Sequence, residues 1–236
     1  MTRLPNEFLR WNYFPRRKLL RDVLENKISM DNRFLIEFMK HTPVLCTAMV
    51  RDDGEIEVNG KVIGIGYVLK KKFLMEAIKD FEDHMRRSDE VYRKILSNKS
   101  EAKIFREDHA RRGIKLLLKH VYLDENEAYR RIDFEVLSTI ELAKRRVNSS
   151  KHTWNIVQKC SRACLVFYQP PIISFELRGI ITIHVDDVYH KFVNLVHDSY
   201  HYTPPENRSD RPVYIFHVEE AYDNSATPNG FGRRII

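Results

Sequence analysis

The 236-residue sequence predicts a mainly β fold with α elements, a small closed or split β-barrel of six or so strands with helices packed outside. Short apolar or alternating runs bounded by turn residues occur both before and after the middle of the chain, which is typical of strands. Between them lies a charge-rich block whose apolar residues recur at helical spacing. The sequence therefore predicts a barrel interrupted by a helical insertion.

Composition narrows the class of protein. Hydrophobic residues make up 43% of the chain, an ordinary value for a globular protein rather than for a disordered or fibrous one. No apolar run approaches the roughly 18 residues that a membrane helix needs, and the basic N-terminus lacks the apolar core of a signal peptide. Three cysteines, an odd number, indicate reduced thiols and a cytoplasmic protein.

The formal net charge of +7 is compatible with nucleic acid, with an anionic cofactor or with solubility alone. The basic residues are scattered, and no nucleic-acid-binding motif accompanies them, so nucleic acid is not the expected partner. His197 and His201 have a spacing that can hold a metal, but no third ligand lies near them. Cys160 and Cys164 lack a second cysteine pair. No metal site is expected.

The first strands follow an N-terminal helical region. Helical spacing over 18–28 predicts one helix, and a second is predicted to start at an Asp31 cap and to bury Phe34, Leu35 and Phe38. The run 44–50 then predicts a buried strand, and Asp53-Gly54 is a hairpin turn signal. Residues 55–69 continue as one or two strands, with a possible second turn at Asn59-Gly60.

Strand character returns after the helical block. Residues 132–136 predict a strand that extends to about Leu142, and 211–218 predict the last strand. Between them, Asp186 or Asp187 can cap a helix with apolar residues on one face. This second group of strands supplies most of the predicted barrel.

The segment 148–185 carries most of the functional information. A short helix is predicted to begin near Ser150-Lys151-His152-Thr153, followed by an apolar strand at 163–168, which we expect to be covered on both faces. After Pro170-Pro171, a second strand alternates apolar and polar residues from Ser174 onward. Hydroxyls and a cation at a helix N-terminus favour a phosphate. A capped helix start with a solvated lysine is the alternative.

These residues resemble a known family. The run ACLVFYQPP at 163–171, followed by FELRG at 175–179, looks like the pyridoxamine 5′-phosphate oxidase-like family of FMN-binding split barrels. The segment SKHTWNI at 150–156 is similar to the Ser-x-Lys-x-x-Asn segment that lies on the FMN phosphate in that family. The resemblance covers 135–222 well and 45–69 loosely, and it does not cover 73–130.

The resemblance implies FMN as cofactor, an oxidoreductase acting on an unidentified small molecule, and a homodimer with flavin at its interface. It implies these cofactor-binding residues: Ser150, Lys151, Thr153, Asn155, Ser174 and Arg178. Ser174 stands where the oxidase proper has a glutamine, and the C-terminal substrate-binding arginine-and-histidine pattern of that enzyme is absent unless Gly232-Arg233-Arg234 replaces it. Pyridoxamine-phosphate oxidase activity itself is therefore not expected.

The predicted organisation is an N-terminal helical region at 1–43, a flavin-binding barrel at 44–70 and 131–225, the insertion at 71–130 and a tail at 226–236. The insertion is expected to roof the flavin, with a helical buttress remote from the cofactor as the alternative. Two other functions stay open. They are a split barrel that binds haem or the deazaflavin F420, and a cofactor-free nucleic-acid-binding or scaffolding protein.

Overall fold

The computed structural model describes residues 3–28, 32–95, 99–208 and 211–236. The α-helices are α1 (Asn6–Asn12), α2 (Phe14–Leu24), α3 (Asn32–Met39), α4 (Lys71–Ile95), α5 (Lys99–His120), α6 (Glu125–Arg131), α7 (His152–Lys159) and α8 (Val188–Tyr200). The strands are β1 (Val44–Val50), β2 (Ile56–Val62), β3 (Gly66–Leu69), β4 (Ile132–Ile140), β5 (Arg162–Gln169), β6 (Ile173–His184), β7 (Val213–Asp223) and β8 (Arg233–Arg234).

The strands form one antiparallel sheet in the order β2-β1-β5-β6-β7-β4-β3, with β8 added to β7. Strands β2 and β3 lie at opposite ends of this order, yet they are consecutive in the chain and joined by the short connection through Ile63 and Ile65. Side chains from β1, β4, β5, β6, β7 and this connection line one small interior cavity. The sheet therefore curls around a common core. The predicted fold class, a β-barrel architecture with outer helices, is confirmed.

Strand β6 follows the predicted alternation, because Phe175, Leu177 and Ile181 are all buried in the core. Strand β5 does not follow the prediction that both of its faces are covered. Leu165 and Phe167 are buried, whereas Tyr168 is 54% exposed. An apolar run thus marks a strand without telling whether its second face is covered within the same chain.

The β1–β2 hairpin turns at Gly54, whose φ of +85° is readily adopted only by glycine. The second turn predicted at Asn59-Gly60 is wrong. Strand β2 runs straight through these residues, which pair with Thr47 and Cys46 of β1. Asn-Gly is a turn signal only when the chain has to reverse there, and here the strand pairing on β1 continues to Val62.

The N-terminal helices differ in detail from the sequence prediction. Helix α1, which was not predicted, buries Phe8 and Leu9 in the core. Leu35 and Phe38 of α3 are 49% and 41% exposed rather than buried. The predicted Asp31 cap and the side chain of Phe34 lie outside the described residues.

The region 71–130 is helical, as its apolar periodicity predicts. Helix α4 buries Leu74, Ala77, Ile78, Phe81 and Met85 along one face. Helices α4 and α5 pack on each other and on α8. Gly113 of α5 allows the closest approach, since a Cβ atom built there would lie 1.7 Å from the Ser199 carbonyl oxygen of α8.

A buried ionic cluster lies at the end of α8. Both nitrogens of the Arg211 fork donate to the Asp198 carboxylate at 2.7 Å, and both side chains are almost fully buried. Arg208 donates to Asp89 of α4 at 2.6 and 2.8 Å. The cluster thereby joins α8, α4 and the segment that leads into β7.

Helix α1 is held against strands far along the chain. The Trp11 indole N–H donates to the Gln169 side chain at 2.6 Å, across a sequence separation of 158 residues. The Phe8 ring packs edge-on against Phe167 and Phe175, with ring centroids 5.0 and 5.6 Å apart. The N-terminal helix therefore covers the aromatic end of the β5–β6 hairpin.

Candidate functional site

A cavity of about 620 Å³ opens on the outer face of the sheet, over β2, β1, β5, β6 and β7. This volume lies within the range of small-molecule and cofactor sites. The lining residues are Cys46, Thr47, Ala48, Val58, Asn59, Gly60, Arg162, Ala163, Cys164, Arg178, Gly179, Glu219 and Glu220.

The floor of the cavity is a row of small residues. Gly60 pairs with Cys46 across β2 and β1, Cys46 pairs with Cys164 across β1 and β5, and Cys164 pairs with Arg178 across β5 and β6. Residues directly opposite each other in an antiparallel sheet point to the same face. A Cβ atom at Gly60 would make only an ordinary contact with Val44, so packing does not require glycine there. The row gives a flat apolar surface that ends at a guanidinium group.

The two thiols on this floor are protonated near neutral pH. Burial, together with the neighbouring Glu176, raises the pKa of Cys164 to about 12. Burial and Glu176 also raise the pKa of Cys46. Because the thiolate is the nucleophilic form, neither cysteine is poised for covalent catalysis.

Arg178 at the edge of the floor is paired with acidic neighbours. Its guanidinium bonds Glu176, approaches Glu220 at 4.0 Å and lies 4.7 Å from the centre of the Tyr222 ring. Arg178 therefore offers directed N–H groups in a neutralised setting rather than an isolated positive charge.

Packing within the sheet requires glycine at position 179. A Cβ atom there would lie 1.9 Å from the His217 carbonyl oxygen, next to the irregularity in β6–β7 pairing at Arg178 and Gly179. The close approach of a ligand or partner is thus not needed to explain this residue. A β-bulge accounts for it.

The predicted phosphate segment forms the start of α7. Lys151 adopts a left-handed conformation with φ of +56°, and no side chain caps the first turn of the helix. The Ser149 hydroxyl accepts a hydrogen bond from the Lys151 N–H at 3.2 Å. The Asn155 side chain donates to the Ser150 carbonyl at 3.4 Å. The hydroxyl cap that was the alternative explanation for these residues is not formed.

Asn59 connects the start of α7 to strand β2. Its side-chain amide donates to the Thr153 hydroxyl at 2.8 Å, and Asn59 also lines the cavity. Thr153 is buried, so its hydroxyl packs against β2 and does not face solvent. Because successive side chains of a strand point to opposite faces, the first turn of α7 lies on the face of β2 opposite to Gly60 and the cavity floor.

Of the six residues predicted to bind a cofactor, Arg178 lines the cavity. Four others lie together at the start of α7: Ser150, Lys151, Thr153 and Asn155. Ser174 lies on β6, where its backbone N–H and carbonyl both bond the Ser225 hydroxyl. The role of these six residues in binding stays a prediction.

The cavity residues from β1 and β2 were not singled out from the sequence. The sequence does contain a pattern that points to this surface. Ile56, Val58 and Val62 alternate with polar residues, although β2 is an edge strand. These three side chains are 68–74% exposed. An apolar stripe on an edge strand indicates a surface that a ligand or another subunit covers.

The insertion lies away from the cavity within one chain. None of its described residues lines the cavity, and α4 and α5 pack on α8 instead. This packing favours the buttress over the predicted roof. Across the described ranges no group of three histidine, cysteine or acidic side chains is placed to hold a metal. Likewise, none of the described helices is long and apolar enough to span a membrane.

No family model and no curated protein matches the sequence. Solved structures do match by fold. An F420 reductase is 15% identical with a TM-score of 0.34, and the match covers 78% of this chain and 92% of that one. A candidate pyridoxamine 5′-phosphate oxidase from Listeria innocua is 10% identical with a TM-score of 0.37, covering 88% and 96%.

A third neighbour belongs to the pyridoxinephosphate oxidase family. This protein from Clostridium acetobutylicum, related to general stress protein 26 of Bacillus subtilis, is 11% identical with a TM-score of 0.33, covering 89% of this chain and 90% of that one. The structural neighbours thus include the family that the sequence resembles. The function has to be inferred from the residues of the chain itself.

Proposed function

We propose that the protein is an FMN-binding flavoprotein whose isoalloxazine ring lies on the floor formed by Gly60, Cys46 and Cys164. The observation that carries the proposal is this row of small residues in register, with Arg178 at its end. A flat apolar floor suits a planar aromatic ring, and directed N–H groups at its edge suit the carbonyl oxygens of a flavin.

The phosphate of FMN would lie at the start of α7. The N-terminus of a helix offers free N–H groups and a favourable dipole to an anion, and no side chain makes a capping hydrogen bond at the start of α7. Lys151 supplies a positive charge at the same point. Asn59 holds this turn against the edge strand β2 through its bond to Thr153.

Bound FMN would supply electron and hydride transfer, while the chain orients it and excludes competing reactions. The protonated thiols of Cys46 and Cys164 would act as uncharged surface under the ring. An oxidoreductase acting on an unidentified small molecule follows from this proposal. F420 and haem are alternative ligands, which titration of the wild type with each of them would distinguish from FMN.

The first test replaces Lys151 by glycine. Loss of a charge-assisted contact of about 1.5–3 kcal/mol should weaken FMN binding roughly ten- to hundredfold. Because glycine adopts φ of +56° without the cost of about 1–2 kcal/mol that other residues have, the variant should be at least as stable as the wild type. Riboflavin, which lacks the phosphate, should bind both proteins equally. Titrations followed by flavin fluorescence measure the affinities.

The control is Lys159→Ala, because glycine at a helical position would also lower the stability of the helix. This lysine ends α7 and is exposed, and its removal should leave FMN affinity unchanged. Equal losses of FMN and riboflavin affinity in Lys151→Gly would mean that Lys151 acts through the fold. A wild-type protein that binds neither flavin would contradict the proposed function as a whole.

We further propose that the protein is a homodimer in which the partner covers the cavity. Val50, Ile56, Val58 and Val62 are each between 67% and 74% exposed on the β1–β2 hairpin, and Val58 also lines the cavity. A second copy related by a two-fold axis would bury this stripe on both chains. It would also close the open side of the cavity, which is what a tightly held cofactor needs.

Val58→Glu should convert the dimer to a monomer and weaken flavin binding, because a buried unpaired carboxylate is costly. In the separated chain the new carboxylate would be solvated, so the fold should persist. Sedimentation at micromolar concentration measures the assembly state. Val147→Glu, at a position that is 93% exposed, should leave the dimer intact. A wild-type monomer that binds flavin would refute the proposed assembly.

A further inference from the structure

The guanidinium of Arg16 on α2 has a hydrogen bond to the neutral Tyr122 side chain but lacks partners for two of its three nitrogens. Its Nε and Nη1 atoms are buried and have no hydrogen-bond partner. Among the residues that the structure describes, no carboxylate forms an ion pair with it. Taking an ionised group out of water is costly unless an opposite charge or hydrogen-bond acceptors compensate for it. The uncompensated donors therefore point to a missing anion.

The aromatic side chains around Arg16 come from several helices and are uncharged. The ring of Phe38 on α3 lies 5.4 Å from the guanidinium carbon. Burial raises the pKa of Tyr122 to about 12, and burial also raises that of Tyr200 on α8, with Arg16 acting in the opposite direction on both. The two phenols are thus neutral at physiological pH and cannot balance the guanidinium charge.

His41 beside this group is neutral as well. Its Nε2 lies 2.9 Å from the Asn12 carbonyl oxygen, which can only accept, so Nε2 carries the proton. Burial, followed by the charge of Arg16, lowers the pKa of His41 well below its usual value. The Nδ1 atom of His41 is a second buried polar atom without a partner.

The other charged side chains near Arg16 already have partners. Lys40 is paired with Glu37 at 2.8 Å. Arg17 donates to the carbonyl oxygens of Leu118 and Tyr122. The ionised groups that face this region thus leave Arg16 as an excess positive charge, and the region would attract an anion.

We infer that Arg16 anchors a binding site for a small oxyanion, a carboxylate or a phosphate, between α2, the end of α3, the segment after α5, and α8. Guanidinium N–H groups match the oxygen atoms of such anions and bind them with charge-assisted hydrogen bonds. The aromatic rings around it exclude water and strengthen that attraction. Neither Arg16 nor His41 lines the outer cavity, so this site is separate from the proposed flavin site.

The test measures thermal unfolding of the full chain in chloride buffer and in added phosphate or acetate at constant ionic strength. A ligand that binds only the folded protein raises the unfolding temperature in proportion to ln(1 + [L]/Kd). The wild type should gain stability and saturate with at least one of the two oxyanions. Comparing phosphate with acetate distinguishes a phosphate from a carboxylate ligand.

Arg16→Met should abolish this response. In chloride the variant should be as stable as the wild type or more so, because the uncompensated charge is gone. Arg17→Met is the matched control, since Arg17 bonds two backbone carbonyls. That variant should be less stable in every buffer yet keep the oxyanion response. Lys151→Gly should also keep it, which separates this site from the proposed FMN phosphate site.

Three results would overturn the inference. The first is an oxyanion response in Arg16→Met equal to that of the wild type. The second is a loss of stability in chloride as large as that of Arg17→Met, which would make Arg16 a structural residue. The third is a wild type whose unfolding temperature rises with protein concentration but not with oxyanion, which would assign the anion to a second copy. If Arg16→Met does not fold, calorimetric titration of the wild type decides, and no heat of phosphate or acetate binding refutes the site.

Discussion

Replacing Asp198 by asparagine is expected to destabilise the protein by about 3–5 kcal/mol, because it leaves the Arg211 guanidinium buried without a counter-charge. Arg211 donates two hydrogen bonds of 2.7 Å to this carboxylate. The side chains of Arg211 and Asp198 are 2% and 3% exposed. The asparagine amide would place N–H donors against N–H donors. Urea unfolding of the two proteins measures the difference.

The pH dependence gives a second readout of the same residue. Although burial alone would raise it, hydrogen bonds from Arg211 and His197 lower the pKa of Asp198 to about 2, below the value of roughly 3.9 in an unfolded chain. A depressed pKa means that the stabilisation is present above about pH 4 and is lost as the pH falls toward 2. The stability gap between wild type and Asp198→Asn should therefore narrow over that interval.

The control for Asp198→Asn is Lys18→Ala. Lys18 pairs with Asp22 on the surface, and its side chain is 83% exposed. Removing a pair of this kind changes stability by less than about 1 kcal/mol. If Asp198→Asn lowered the free energy of unfolding as little as Lys18→Ala does, the buried ion pair would not stabilise the packing of α8 on its neighbours.

Gly113→Ala is expected to cost about 2–3 kcal/mol, the range of overpacking in a closely packed interior. The new methyl group would lie 1.7 Å from the Ser199 carbonyl oxygen and 2.4 Å from its carbon. That carbonyl is bonded by His84 Nε2 at 2.9 Å, so α5 and α8 would have to separate. Alanine gains up to about 1 kcal/mol of helix propensity, which offsets part of the cost.

Gly64→Ala is the matched control, because a Cβ atom there meets nothing within 4 Å. This substitution should be neutral or should stabilise the protein slightly, by restricting the unfolded chain. Thermal unfolding of both variants compares them directly. Equal behaviour of the two alanine variants would show that α5 and α8 are not in backbone contact at Gly113.

Local signals explain which parts of the fold are predictable from the sequence. The alternation in β6, the Asp-Gly turn before β2, the Asp187 cap of α8 and the apolar face of α4 each depend on neighbouring residues. Helix α1 was missed because it is short and is stabilised by strands far along the chain. The Asn59-Gly60 turn was wrongly predicted, because pairing with β1 outweighs the local preference.

One part of the candidate site can be predicted from local sequence and the other part cannot. The start of α7 and Arg178 stand out in one continuous segment of sequence. The floor of the cavity does not, because Gly60, Cys46 and Cys164 become neighbours only through the β2–β1–β5 pairing. Arg16 cannot be recognised from the sequence either, because one arginine among many basic residues becomes unusual only when the structure shows that its nitrogens are buried. Sequence patterns of period two or four cannot report such long-range juxtapositions.

The bond between Trp11 and Gln169 has a consequence for how the chain acquires its structure. Helix α1 is synthesised well before the β5–β6 hairpin that it covers, because Trp11 and Gln169 are 158 residues apart. Closing a loop of this length has an entropic cost that precedes the stabilising contacts. Chains whose contacts join residues far apart in sequence fold slowly. Until α1 docks, Phe167 and Phe175 remain uncovered, and exposed aromatic surface in a folding intermediate promotes aggregation. The yield of refolding should thus depend on the first helix more than its seven residues suggest.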